Sequence, residues 1–110
     1  MSSSDPYFVV KHEIEQSLRS TERDLYERDE AALIEGRRGD GTTLEDVTEA
    51  AASTASQIDE LGRAVEVSGR NPARFGLTRE QVDARRVEVR ELKLLADKYA
   101  KRAADLGQAR

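Results

Sequence analysis

Cysteine is absent from the chain, which excludes a disulfide scaffold, thiolate chemistry and Cys-ligated zinc. The single histidine, His12, leaves little for imidazole catalysis or metal ligation. Two prolines and seven glycines are too few for the turns of a β-sandwich or barrel, and too few for a Pro/Gly-rich disordered chain. Aromatic residues are scarce as well: three tyrosines, two phenylalanines and no tryptophan. No apolar run approaches the roughly 18 residues of a membrane span, and no signal peptide opens the chain. What abounds is charge. Charged residues make up 36% of the chain and hydrophobic residues 37%, with a net charge of -4. That balance disfavours nucleic acid and anionic membrane surfaces as direct partners. The 110 residues give room for one domain. A chain this charged and this poor in aromatics folds by burying narrow aliphatic stripes. The expectation is a soluble, intracellular helical protein that binds something rather than transforms it, with no cofactor and no metal.

Apolar residues at three- and four-residue steps predict three helices, over about 5–35, 43–67 and 78–106. The first opens at Asp5-Pro6, where Asp5 can cap the free N–H groups and Pro6 fits the first helical position. Its face carries Tyr7, Val10, Ile14, Leu18, Thr21, Leu25 and Ala32. Gly36, Gly39 and Gly41 end it. For the second helix, Thr42 with Glu45 or Thr43 with Asp46 has capping-box spacing. Its seam, Leu44, Val47, Ala51, Thr54, Ile58, Leu61 and Val65, is a strict heptad, and Ser68 to Pro72 should stop it. The third start carries the strongest signal: Thr78 and Gln81 as a capping box, with Leu77 and Val82 as a hydrophobic staple. The seam then runs Val82, Val89, Leu92, Ala96, Tyr99, Ala103 and Leu106, interrupted by Arg85. Three helices of this length with short loops predict an all-α, antiparallel up-down-up three-helix bundle.

Catalytic signals are missing. No carboxylate pair sits beside a nucleophile, and Gly36 to Gly41 lacks the Gly-Lys-Ser/Thr ending of a phosphate loop. His12 points away from its helix seam and reads as a surface residue. Arg70, Arg74, Arg79, Arg85, Arg86 and Arg90 are interleaved with Glu80, Asp83, Glu88 and Glu91, which reads as a solvated face rather than a nucleic-acid surface. Apolar residues that miss the seams are more informative. At 100° per residue, Val9 points about 140° from the first seam, and Phe8 about 120° off on the other flank. Tyr26 repeats the direction of Phe8. Val87 and Leu94, seven residues apart, face nearly opposite the third seam. A helix in a three-helix bundle needs a broad apolar face, which can absorb Phe8 and Tyr26. Val9, Val87 and Leu94 are left over, and the Val87–Leu94 stripe is a candidate docking surface.

Two blocks carry a family resemblance. Asp5-Pro6-Tyr7-Phe8-Val9-Val10-Lys11-His12-Glu13-Ile14 resembles the Asp-Pro-Phe-Phe-Val-Val-Lys opening of the syntaxin-6 family of t-SNAREs, a Qc-class family that includes the yeast late-Golgi t-SNARE. Ile58-Asp59-Glu60-Leu61, Val65-Glu66-Val67 and Asn71-Pro72-Ala73-Arg74-Phe75-Gly76-Leu77 resemble the second helix and following loop of the same family. The resemblance implies an N-terminal regulatory three-helix (Habc-type) domain spanning 1–110, with the SNARE motif and membrane anchor of the whole protein lying outside this chain. It implies a role in vesicle fusion and endosome-to-Golgi retrograde transport, on the cytosolic face of trans-Golgi network and endosomal membranes. A subunit of the GARP tethering complex is the implied partner of the domain, and cognate SNAREs are the partners of the missing motif. No membrane insertion, no enzymatic activity and a monomeric state are expected of the chain itself.

In an up-down-up bundle the start of the first helix and the end of the second lie at one end. The two family-like blocks can therefore share a surface, and Phe8, Val9, Lys11, Asn71, Pro72 and Phe75 are its candidate partner-binding residues. The competing reading is that Pro72, Phe75 and Leu77 only plug the bundle end. Val87 and Leu94 form a second candidate stripe. It would serve either an autoinhibitory fold-back of the protein's own SNARE helix or a homo-oligomeric scaffold.

Overall fold

The computed structural model describes residues 5–27, 30–35 and 43–108. Three long helices, α1 (Pro6–Tyr26), α3 (Leu44–Arg70) and α4 (Arg79–Gln108), pack with a short α2 (Glu30–Glu35) and a 3-10 turn (Pro72–Phe75) between α3 and α4. No strand occurs among the described residues, and the fold is the expected all-α three-helix bundle.

The helix starts follow the capping chemistry. Asp5 Oδ1 accepts from the Tyr7 N–H at 3.0 Å, with Pro6 in the first turn. Thr43 and Asp46 form a reciprocal capping box, each backbone N–H donating to the other's side chain at 3.1 Å. The alternative, Thr42, lies outside the described residues, as does the glycine loop. Thr78 and Gln81 repeat the device, at 2.8 and 3.1 Å. Each box satisfies two orphan donors of a helix N-terminus.

Ion pairs mark the register. Lys93 meets Asp59 and Arg86 meets Glu66, each at 2.9 Å, so numbers rising along α4 meet numbers falling along α3. A Cβ added at Gly62, Gly69 or Gly107 would meet Val89, Val82 or Leu44, continuing the same antiparallel register along the whole length. Helix α1 runs parallel to α4: Tyr7 bonds Glu88 near one end, and Tyr26 packs edge-on against Tyr99 further along. The topology is up-down-up.

The seams form the core. On α3 all seven heptad positions from Leu44 to Val65 are buried. On α1, Tyr7, Ile14, Leu18, Thr21 and Leu25 are buried, with Val10 packed partly against them. On α4, Val82, Leu92, Ala96, Tyr99, Ala103 and Leu106 are buried and Val89 is partly so. Thr21 and Thr54 are tolerated at seam positions because each hydroxyl donates to the carbonyl four residues back, Ser17 at 3.0 Å and Ala50 at 2.9 Å.

Two helix limits differ from the sequence expectation. The helix expected over 5–35 is described as two elements, α1 and α2. The position after Leu25 on the seam falls on Arg28 and Asp29, charges that cost heavily to bury. The next large aliphatic, Leu33, lies about 80° around a straight helix from Leu25. It is nevertheless fully buried, as part of the core cluster. The second correction concerns the end of the second helix. Helix α3 continues past 67 to Arg70, because Ser68 and Gly69 do not break it. The Ser68 hydroxyl donates to the Val65 carbonyl at 2.8 Å, and Gly69 sits against α4. The stop is Asn71, extended at φ -153°, ψ 77°, as the following proline requires.

Candidate functional site

At the end of the bundle where α1 and α4 begin and α3 ends, the surface opens into a groove of about 640 Å³. Pro6, Tyr7 and Val10 line it from α1, and Leu61, Ala64, Val65, Val67 and Ser68 from α3. Phe75 and Leu77 close it from the connection, and Arg85 from α4. The connection reaches this position because Pro72 starts a 3-10 turn that Gly76 ends in the left-handed region, at φ 73°. The Leu77 N–H then donates to the Pro72 carbonyl at 2.9 Å.

The groove's α1 wall is held by polar bonds to α4. Asp5 Oδ2 accepts from Arg85 Nη2 at 2.6 Å, so one carboxylate both caps α1 and ties it to α4. The guanidinium lies over the Tyr7 ring, 4.3 Å from its centroid, and 5.1 Å from that of Phe8. The Tyr7 hydroxyl donates to Glu88 Oε1 at 2.5 Å, and Lys11 Nζ stands 3.6 Å from the same oxygen. The hydrogen bond from Arg85 holds the Asp5 carboxyl below its ordinary pKa, outweighing the upward effect of burial. Burial pushes the Tyr7 phenol well up, and its bond to Glu88 pushes the same way. The hydroxyl is therefore a fixed donor at neutral pH.

The six candidate partner-binding residues fall in different places. Phe75 lines the groove and is half exposed. Pro72 begins the turn that carries it, and Asn71 caps α3. Phe8 packs edge-on against Tyr7, 5.1 Å between centroids, and remains 55% exposed. Val9 is exposed on the outer side of α1. Lys11 faces α4, in reach of Glu15 and Glu88. Thus the groove joins the two family-like blocks through Pro6, Tyr7, Val10, Phe75 and Leu77. Phe8, Val9, Lys11, Asn71 and Pro72 stand outside its lining. The second stripe, Val87 and Leu94, is exposed on α4, at 46% and 63%. Tyr26 is exposed too, with Lys98 and Arg102 over its ring. A broad apolar face therefore does not absorb Phe8 or Tyr26.

Arg85 is the residue that sequence reasoning missed. Read as part of a solvated basic face, it proves to be a linchpin of the site, its side chain only 12% exposed. The available signal was its place in the α4 seam, where every other position is apolar. Arg86 stays at the surface, its side chain 33% exposed, and makes a two-pronged bond to Glu66 at 2.9 and 3.0 Å. Among the described residues no group of acidic or imidazole side chains could hold a metal ion. Nor, among the described residues, is any helix long and apolar enough to cross a membrane.

Neither a curated protein nor a solved structure matches the chain significantly. A family model does: that of the Syntaxin 6/10/61 N-terminal domain, over residues 5–98. The match covers both family-like blocks, all of α1 and α3, and most of α4. It ties the bundle to SNARE-type vesicle trafficking, with SNARE proteins as the general class of partner and no enzymatic role known for the family. A helical bundle built on these capped seams and matched over nearly its whole length belongs to the Syntaxin 6/10/61 N-terminal family.

Proposed function

We propose that this chain is the regulatory, tether-binding domain of a SNARE protein acting in vesicle fusion and endosome-to-Golgi retrograde transport. It works as a monomer on the cytosolic face of trans-Golgi network and endosomal membranes, and its partner is a subunit of the GARP tethering complex. Cognate SNAREs engage the protein through its SNARE motif. The observation that carries this reading is the apolar groove at the bundle end, where Pro6, Tyr7 and Val10 meet Phe75 and Leu77. Two segments far apart in sequence, both family-like, line one concave surface. Such a surface takes an apolar peptide segment. Phe8 and Val9 extend the apolar area around the α1 edge, and Lys11, Asn71 and Pro72 flank it.

Binding of purified tether subunits to the wild-type domain and to its Phe75→Ala, Val9→Asp and Phe8→Ala variants tests the reading. Each variant is first checked for native helicity. Phe75→Ala should weaken capture most, since its ring forms a wall of the groove, and Val9→Asp should weaken it by placing charge at the rim. Unchanged capture by all three variants removes this surface as the contact. The exposed Val87–Leu94 pair supports a second reading, in which the protein's own SNARE helix docks there in a closed form. With that helix added back, Leu94→Glu should speed SNARE assembly; an unchanged rate counts against it.

A further inference from the structure

The chain has three tyrosines, and the fold treats them unequally. Tyr7 and Tyr99 are 6% and 4% exposed, and their hydroxyls are committed to Glu88 and Glu22. Tyr26 is 46% exposed. It is the last residue of α1, about 28 Å along the helix from Tyr7 at 1.5 Å per residue, and so lies far from the bundle-end groove. Two cations of α4 stand over its ring. The Arg102 guanidinium carbon is 5.5 Å from the centroid and Lys98 Nζ is 5.8 Å from it. Residues spaced like these two project from one face of a helix. Lys98 is exposed and forms no salt bridge among the described residues. Arg102 is bonded to Glu30, yet its Nε is buried with no hydrogen-bond partner among the described residues. That one carboxylate therefore does not use all of the guanidinium's donors.

We propose that Tyr26 is a phosphorylation site, and that its phosphate is held by Lys98 and Arg102, tying the end of α1 to α4. In this step a tyrosine kinase directs the phenol oxygen onto the γ-phosphorus of ATP. The new P–O bond forms as the bond to the β-phosphate oxygen breaks, ADP leaves, and the phenol proton passes to the kinase. Position favours this tyrosine: a kinase takes its substrate in extended backbone, and a helix end opens at lower free energy than a helix middle. Sequence favours it too. Glu22, Asp24 and Glu27 flank Tyr26, and acids there fit a kinase whose peptide groove is basic. Once attached, the phosphate carries a charge of about -1.5 to -2 and three acceptor oxygens. The flanking acids and the partial negative charge of the helix C-terminus both oppose it. Cations must offset that repulsion, and α4 supplies them. Ammonium and guanidinium groups already over the ring reach its phosphate by side-chain rotation alone, with no shift of either helix. Charge-assisted bonds then join two helices that meet at Tyr26 through ring contacts.

Incubation of the folded domain with ATP and a Src-type tyrosine kinase domain, followed by peptide mass spectrometry, should find a single phosphate, on Tyr26. Tyr7 and Tyr99 should react at least about tenfold more slowly, since each is reached only by opening the core. Tyr26→Phe should abolish the fast incorporation. The clamp is read on the phosphorylated domain by phosphorus NMR. The second ionisation of the phosphate should lie at least about half a pH unit lower than in the Lys98→Gln/Arg102→Gln variant, because both cations favour the dianion. Lys98→Gln alone changes an exposed residue and should move the titration part of the way. That single variant decides the matter if loss of the Arg102–Glu30 bond unfolds the double one. Neither measurement involves a tether, so the result stands apart from the reading of the bundle-end groove. No incorporation, comparable labelling of Tyr7 or Tyr99, or a phosphate titration indifferent to Lys98 and Arg102 overturns the proposal.

Discussion

Tyr7 combines a buried ring, a hydroxyl bonded to Glu88 and a guanidinium stacked on its face. Removing the hydroxyl alone leaves Glu88 with Lys11 and solvent, so Tyr7→Phe should cost about 1–2 kcal/mol, measured by urea unfolding. Asp5 adds a pH dependence. Its carboxyl is held low by Arg85, so its contribution is complete above the ordinary carboxylate pKa and is lost as pH falls through the lowered folded value. Amide exchange at Tyr7, whose N–H donates to Asp5, should therefore accelerate below about pH 4 beyond the intrinsic trend. Asp5→Asn should remove that pH dependence. The sequence displayed half of this cluster: Asp5 as a cap and Arg85 as a break in an apolar seam. It could not pair them, because 80 residues separate the two and their meeting depends on how α1 lies against α4.

Among the elements, starts were more legible than ends. Capping is a local contest between a side chain and the first free N–H groups, so Asp5, Thr43 and Thr78 announce themselves by spacing alone. The division of the first helix after Tyr26 has no such marker in the spacing. Within α3 and the following turn, two glycines are held for different reasons. Gly62 lies inside a regular helix, and a Cβ there would make ordinary contact with Val89 at 3.4 Å. Gly62→Ala should stabilise by about 0.5–1 kcal/mol through helix propensity. Gly76 has open space around it but sits at φ 73°, so Gly76→Ala should destabilise by about 1 kcal/mol through backbone conformation alone. Opposite signs in paired thermal melts check both; equal signs would contradict this account of the turn.

Across the whole molecule, stability and surface separate cleanly. Ile58 is 1% exposed at the meeting of the seams, while Leu94 is 63% exposed on the outside of α4. Ile58→Ala should cost about 2–5 kcal/mol, and Leu94→Glu less than about 0.5 kcal/mol, in the same chemical-denaturation assay. The sequence by itself determined the helices, their buried faces and the bundle. Heptad spacing and capping chemistry act within a few residues, and burying three stripes admits few arrangements. It also marked the two family-like blocks and the scarcity of catalytic groups. Only the tertiary structure decided that Pro6, Tyr7 and Val10 line one groove with Phe75 and Leu77 while Phe8 and Val9 stand outside it. It alone decided that Arg85 is sequestered, and that five cations and two carboxylates gather between α3 and α4 in an acidic chain. Those outcomes depend on the rotation and register of whole helices against one another. They are fixed by the sum of many weak contacts, and no short segment of sequence contains that sum.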